Sequence, residues 1–333
     1  MGLNYRFGSL TKGEKNNICD VDGIRIGHRT LDQGQIQTGV TVLIPAPGSL
    51  FRSKLEAGVS VLNGFGKSAG LVQVEELGSL ESPIVLTNTL SVGTCLNGLT
   101  RYMLEENPEI GDTTGTVNSL VMECNDGTIN DIRGLHVSEE DVFMALETAK
   151  DNFEEGSIGA GRGMICFGLK GGIGSSSRLV ELDRTYKLGA LVLSNFGQSG
   201  RLVIDGKKIP APAPYKEDQG SIIIIIATDI PMKSRQLKRL AKRAGMALGR
   251  TGSIMGNGSG DIALAFSTAS RISHEAKDFF QENSYLHEEH INKVFEAAVD
   301  AVEEAIISSM YHSEAMTSRR GEKIPSLREF WHD

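Results

Sequence analysis

The chain has 333 residues and a mass of 35.9 kDa, room for one large domain or two moderate ones. A net charge of −8 and a pI near 5.5 argue against nucleic acid or an anionic membrane as a partner. The hydrophobic share of 40% supports a large core, and the 39 glycines fall in clusters, which suggests tight turns and close backbone approaches.

Residues 39–44 read as a strand stopped by Pro45 and Pro47. Residues 57–62 read as another, ending at the turn dipeptide Asn63-Gly64. Residues 83–87 and 118–123 are two more strands, with helical spacing over 95–105 between them. Ser138 and Asp141 make a capping-box-like start for a helix to about Asn152. A glycine-rich centre runs over 156–178, and residues 189–194 form a strand leading to Asn195. Residues 209–214 are a proline-rich connector, followed by polar residues to Gln219. Ser221 then opens an unbroken β-branched run to Ile226, the pattern of a fully buried strand. Asp229 and Pro231 mark a helix start, and Leu237, Leu240, Ala241, Ala244 and Leu248 follow at helical spacing. The basic residues of that helix, Lys233 to Arg243, read as a solvated face. Residues 262–266 are a last strand, and Ile291 to Ile306 define a long amphipathic helix. Many strands with few, long helices point to α+β layers around stacked sheets.

Cys19, Cys95, Cys124 and Cys166 are widely spaced, with no CxxC pair. Reduced, buried thiols in a cytoplasmic protein are expected, and no metal site or cofactor. No charged segment followed by an apolar one opens the chain, and no apolar run reaches the ~18 residues of a membrane span, so neither a leader nor a span is expected.

Several motifs fail on their own terms. Gly64, Gly66, Lys67 and Ser68 resemble the end of a phosphate loop, but Val61 stands where that loop needs its first glycine. Gly159, Gly161 and Gly163 miss the dinucleotide spacing, and no strand precedes them. His287 and His290 fit no zinc-protease pattern, and isolated His28 and His136 read as structural. Lys170 to Arg178, with its glycines and three serines, matches the amidase signature only in part. It reads better as a loop forming one wall of a site through backbone N–H groups.

Two features carry chemistry. The Gly220-Ser221 pair sits at the seam between a linker and a core strand, where a serine hydroxyl can attack the preceding carbonyl. Cleavage there would give Ser221 an α-amine, whose reference pKa of about 7.7–8.0 suits a general base at neutral pH. Ser259 and Asp261, at i and i+2, share one face if the strand starts there, and such a pair can polarise a neighbouring nucleophile.

The set formed by Asn63-Gly64, Glu123 with Asp126-Gly127, Asn130-Asp131, Gly163-Met164, Asn195, Gly220-Ser221 and 257–261 resembles the family of the L-aminopeptidase/D-alanyl esterase-amidase and the β-peptidyl aminopeptidases. The resemblance implies a four-layer αββα sandwich like that of N-terminal-nucleophile hydrolases, with different strand connectivity. It implies one catalytic domain that cuts itself into residues 1–220 and 221–333. Ser221 would be the nucleophile, Asn195 an oxyanion donor, and Ser259 with Asp261 the hydroxyl-acid pair beside it. Glu123 would bind the free amine of a peptide, amide or ester substrate. Asn125 departs from the pattern: a relative carries tyrosine there, so the pocket should differ. A homotetramer is also implied. An acyltransferase of the ornithine acetyltransferase type, or an uncut binding protein on the same scaffold, are the alternative readings.

Overall fold

The computed structural model describes residues 5, 7–210, 220–276 and 278–332; most of the expected proline-rich connector, 211–219, lies outside them. In chain order the elements begin with β1 (Arg25–Gln33), β2 (Ile36–Ile44), β3 (Ser53–Gly64), α1 (Leu71–Leu77), β4 (Ser79–Leu80) and β5 (Ile84–Asn88). Next come α2 (Val92–Glu106), β6 (Leu120–Cys124), α3 (Glu139–Glu147), the short β7 (Ile165–Cys166) and β8 (Leu169–Lys170), β9 (Gly172–Glu181) and β10 (Thr185–Asn195). After β11 (Val203–Ile204) and β12 (Lys207–Lys208) follow β13 (Ser221–Thr228), α4 (Ser234–Arg250), β14 (Gly260–Ser273) and α5 (Ile291–Tyr311).

These strands build two main sheets, one ordered β1-β2-β5-β6 and the other β4-β3-β14-β13-β10-β9. Strand alternation explains the layering. Ile223 and Ile225 point between the sheets, toward Leu43, Leu86 and Met122. Ile222, Ile224 and Ile226 point the other way, into a core with Leu237 and Leu240 of α4 and Val302 and Ile306 of α5. Outside the first sheet, Val40, Val42 and Val85 meet Leu99 of α2 and Val142 of α3. The result is the expected αββα sandwich. β13 is central, antiparallel to β10 and parallel to β14, so its β-branched run is buried on both faces.

Three expectations need correction. Residues 172–181 are not a loop but the strand β9. Its glycines serve helix packing: a Cβ on Gly174 would fall 2.0 Å from the Ala305 carbonyl oxygen in α5. Its hydroxyls are spent on the fold, with Ser175 donating to Ala190 and Ser176 to Ala301. The helix expected from Asp229 begins at Ser234 instead, because Asp229 accepts the Lys187 N–H at 2.7 Å and closes the end of the sheet. The helix from Ser138 keeps its capping box but stops at Glu147, since Lys150 leaves to pair with Ile26 of β1. The basic face of α4 is a surface as expected: Arg235 and Arg239 reach Glu288, and Lys238 reaches Glu75. None of the four cysteines is in a disulfide and all are buried, and no described helix is long and apolar enough to cross a membrane.

Candidate active site

Sheet register gathers the sequence-predicted residues at one end of the sandwich. Ser221 opens β13 with Asn195 directly opposite on β10 and Gly260 abreast on β14. Ser221 is buried, and its hydroxyl donates to the Gly220 carbonyl oxygen at 2.7 Å. The Gly260 N–H reaches both that oxygen, at 3.2 Å, and Ser221 Oγ, at 3.3 Å. Ser259 and Asp261 flank Gly260 and are fully buried, with Ser259 Oγ donating to Asp261 Oδ1 at 2.5 Å. The side-chain amide of Asn63 fixes this loop by donating to the carbonyls of Gly256 and Ser259.

Asn195 is held at both ends of its amide. Its Nδ2 donates to the Asn125 carbonyl at 2.9 Å, and its Oδ1 accepts the Ile165 N–H at 2.9 Å. One Nδ2 proton is thereby used and the other is left for a further acceptor. Asn125 enters the site through its backbone; its exposed side chain turns back to accept the Gly127 N–H at 2.9 Å.

Glu123, near the end of β6 in the other sheet, is buried. Oε1 accepts the Lys67 N–H at 2.8 Å, and Oε2 accepts the Thr89 hydroxyl. Gly66 bridges the sheets here: a Cβ on it would lie 3.6 Å from Glu123 Oε1 and 3.8 Å from Gly260 Cα. The segment 64–68, dismissed as a phosphate loop, is thus part of the site as a backbone strap. Thr89, Lys67 and Gly260 also escape sequence reasoning, because two of them act through main-chain N–H groups that any residue carries. His28, His136 and the pair His287 and His290 are not among these contacts; His136 bonds Asp131 at 3.1 Å.

The model of peptidase family S58 matches residues 16–324. The chain belongs to peptidase family S58. It is 34% identical to the β-peptidyl aminopeptidase of Sphingosinicella microcystinivorans over 95% of this chain and 86% of that one. The corresponding enzyme of Sphingosinicella xenopeptidilytica is 35% identical over 94% and 85%. Among solved structures, a Pyrococcus horikoshii protein superposes with a TM-score of 0.93 at 47% identity, covering 97% of this chain and 94% of that chain. The L-aminopeptidase D-Ala-esterase/amidase of Ochrobactrum anthropi, described as a new variant of the N-terminal-nucleophile hydrolase fold, gives 0.89 at 34% identity, with 96% and 93% covered. Membership in S58 makes the chain a hydrolase, and the superposition places its fold with that variant.

Proposed function

We propose that this S58 hydrolase is a self-processing serine aminopeptidase that cuts after Gly220 and then uses Ser221 to release N-terminal residues from peptides, amides or esters with a free amine. The observation that carries this reading is the contact of Ser221 Oγ with the Gly220 carbonyl, both within reach of the Gly260 N–H.

In processing, Ser221 Oγ attacks the Gly220 carbonyl carbon. The Gly220–Ser221 amide bond breaks, the hydroxyl proton passes to the departing nitrogen, and an ester remains. The carbonyl oxygen becomes an oxyanion with the Gly260 N–H already aimed at it. Water then hydrolyses the ester, leaving a Gly220 carboxylate and a Ser221 α-amine. The uncut chain has no such amine, so the Ser259–Asp261 pair assists the first step. In turnover the α-amine takes the Ser221 hydroxyl proton, and Oγ attacks the substrate's first carbonyl. Asn195 Nδ2 stabilises the oxyanion and Glu123 holds the substrate ammonium. The leaving amine departs with the proton, and water releases the acyl group.

The reading extends to a cytoplasmic homotetramer of processed units. Buried thiols outside any disulfide support the compartment, and the exposed Phe279 and Phe280 offer apolar contact surface. Intact-mass analysis of wild type beside Ser221→Ala tests the core of it. Wild type should give fragments ending at Gly220 and starting at Ser221, and the variant one inactive chain. A cut and active Ser221→Ala protein would overturn the assignment.

A further inference from the structure

Asp126 has no part in the steps above, yet it is buried between the two segments that grip the Asn195 amide. One segment is its own. Asn125, immediately before it, supplies the carbonyl that accepts from Asn195 Nδ2. The Asp126 carbonyl closes the following turn by accepting the N–H groups of Ile129 and Asn130 at 3.1 and 3.0 Å. Its carboxylate Oδ1 accepts from Asn130 Nδ2 at 3.0 Å and locks the same turn from inside. The other segment is 163–165. A Cβ on Gly163 would fall 2.7 Å from Asp126 Cβ, so that backbone lies directly against the carboxylate's stem. Two residues on, the Ile165 N–H holds Asn195 Oδ1. Among the described residues Oδ2 is buried without a partner; Thr38 on β2, whose hydroxyl accepts from Asn88 Nδ2 at 2.9 Å, favours the charged carboxylate.

We propose that Asp126 is a positioning residue for the aminopeptidase reaction: its carboxylate locks the 125–130 turn from inside while its stem packs against the 163–165 segment, and so it holds the Asn195 amide opposite Ser221. The inference rests on the reading of Asn195 as oxyanion donor.

The lock needs the ionised carboxylate. An ionised carboxylate accepts from Asn130 Nδ2, whereas its protonated form gains a donor that this amide N–H does not ask for. Burial pushes Asp126 up to about 6, with Thr38 and Asn130 pulling the other way. Lys170 of β8 lies near it, with Nζ donating to the Gly161 and Gly171 carbonyls and its own pKa pushed well down by burial. Arg162 and the Cys166 thiol act on Lys170 in turn, and Arg162 also pairs with Asp32 at 2.7 Å. In the same loop Asp131 bonds His136, and on β6 Glu123 is occupied by Lys67 and Thr89.

The test is the pH profile of processed enzyme, with cleavage checked by intact mass. For wild type, log kcat/KM should fall with slope 1 below the α-amine pKa and steepen to slope 2 below about pH 6. Asp126→Asn should lose the second step, with kcat down about tenfold to a hundredfold and KM changed by less than about twofold. Thr38→Val keeps the carboxylate but removes a hydroxyl that favours its charged form, so the steepening should move to higher pH; this variant carries the test if Asp126→Asn does not fold. Wild-type kcat with an unmoved second step in either variant overturns the proposal. Asn195→Ala is run in parallel. If it retains full kcat, the oxyanion reading falls and this inference with it. If it loses kcat while Asp126→Asn does not, only the role of Asp126 falls.

Discussion

Gly220 presses against the backbone of Asn195: a Cβ added to it would fall 2.0 Å from the Asn195 carbonyl oxygen and 2.7 Å from Phe196 Cα. Glycine is the residue that fits at this position. The reason is space at the seam where β10 meets the scissile bond. Neither backbone atom can swing away as a flexible side chain would, since Asn195 is paired with Ser221. Gly220→Ala should therefore displace the scissile carbonyl from Ser221 Oγ and the Gly260 N–H. The chain should stay uncut over an incubation that fully processes wild type, and overpacking should cost about 1–3 kcal/mol of stability. Cleavage at the wild-type rate, read by intact mass, would refute this.

A change at Glu123 should separate processing from turnover. Each of its oxygens already takes one donor, from Lys67 or Thr89, and each keeps a lone pair for a substrate ammonium. The cut at Gly220 involves no free amine. Glu123→Gln should thus still process, while kcat/KM for free-amine substrates falls by the ~1.5–3 kcal/mol of a hydrogen bond to a charged group. Esters with an acetylated amine should be turned over poorly by wild type and should show no comparable loss. An uncut Glu123→Gln chain would mean that the residue shapes the nucleophile's surroundings rather than the amine pocket.

Where apolar periodicity is strong, the sequence predicts the fold well. β13 and α5 are both legible, because isoleucine runs and spaced alanines report burial directly. β9 is not, since its glycines and serines look like a loop; only the approach of α5 and the capture of each hydroxyl make a strand of them. β1 is also illegible, its nine residues carrying two arginines, a histidine and an aspartate. At the site, Ser221, Asn195, Glu123 and the Ser259–Asp261 pair stand out by residue type and resemblance. Their convergence does not, because it depends on β10, β13 and β14 ending in register and on β6 reaching the same end from the other sheet.

His28 should set part of the acid sensitivity. Its Nδ1 lies 2.9 Å from Thr41 Oγ1 and its ring 6.0 Å from that of Phe153. Burial pushes its pKa down to about 4. The folded chain then binds fewer protons here than the unfolded one, whose histidine titrates near 6.5. This contribution to stability is complete above about pH 6.5 and is lost as pH falls toward about 4. Asp126 acts in the opposite sense: raised to about 6, it favours the folded state more as pH drops through that value. In the single-chain Ser221→Ala background, His28→Gln should narrow the drop in Tm between pH 7.5 and 5, and Asp126→Asn should widen it. Parallel Tm curves for all three proteins would rule this account out.

Arg178 should be the most costly single charge to remove. It is fully buried and donates to the carbonyls of Ser177, Phe7 and Asp300 at 2.7, 2.8 and 3.1 Å, while pairing with Glu304 at 2.8 Å. Glu304 also takes Lys12 and Asn16, so β9, α5 and the N-terminal segment meet on this one pair. Methionine at 178 would fill much of the volume but leave a buried carboxylate short of a cation and carbonyls short of a donor. Arg178→Met should destabilise by about 3–5 kcal/mol, the range for breaking one side of a buried pair. Lysine should restore only part of that, because one ammonium cannot serve three carbonyls and a carboxylate spread around a planar guanidinium. Urea unfolding in the Ser221→Ala background measures both, and a loss under about 1 kcal/mol for Arg178→Met would show that water reaches the site and replaces the guanidinium.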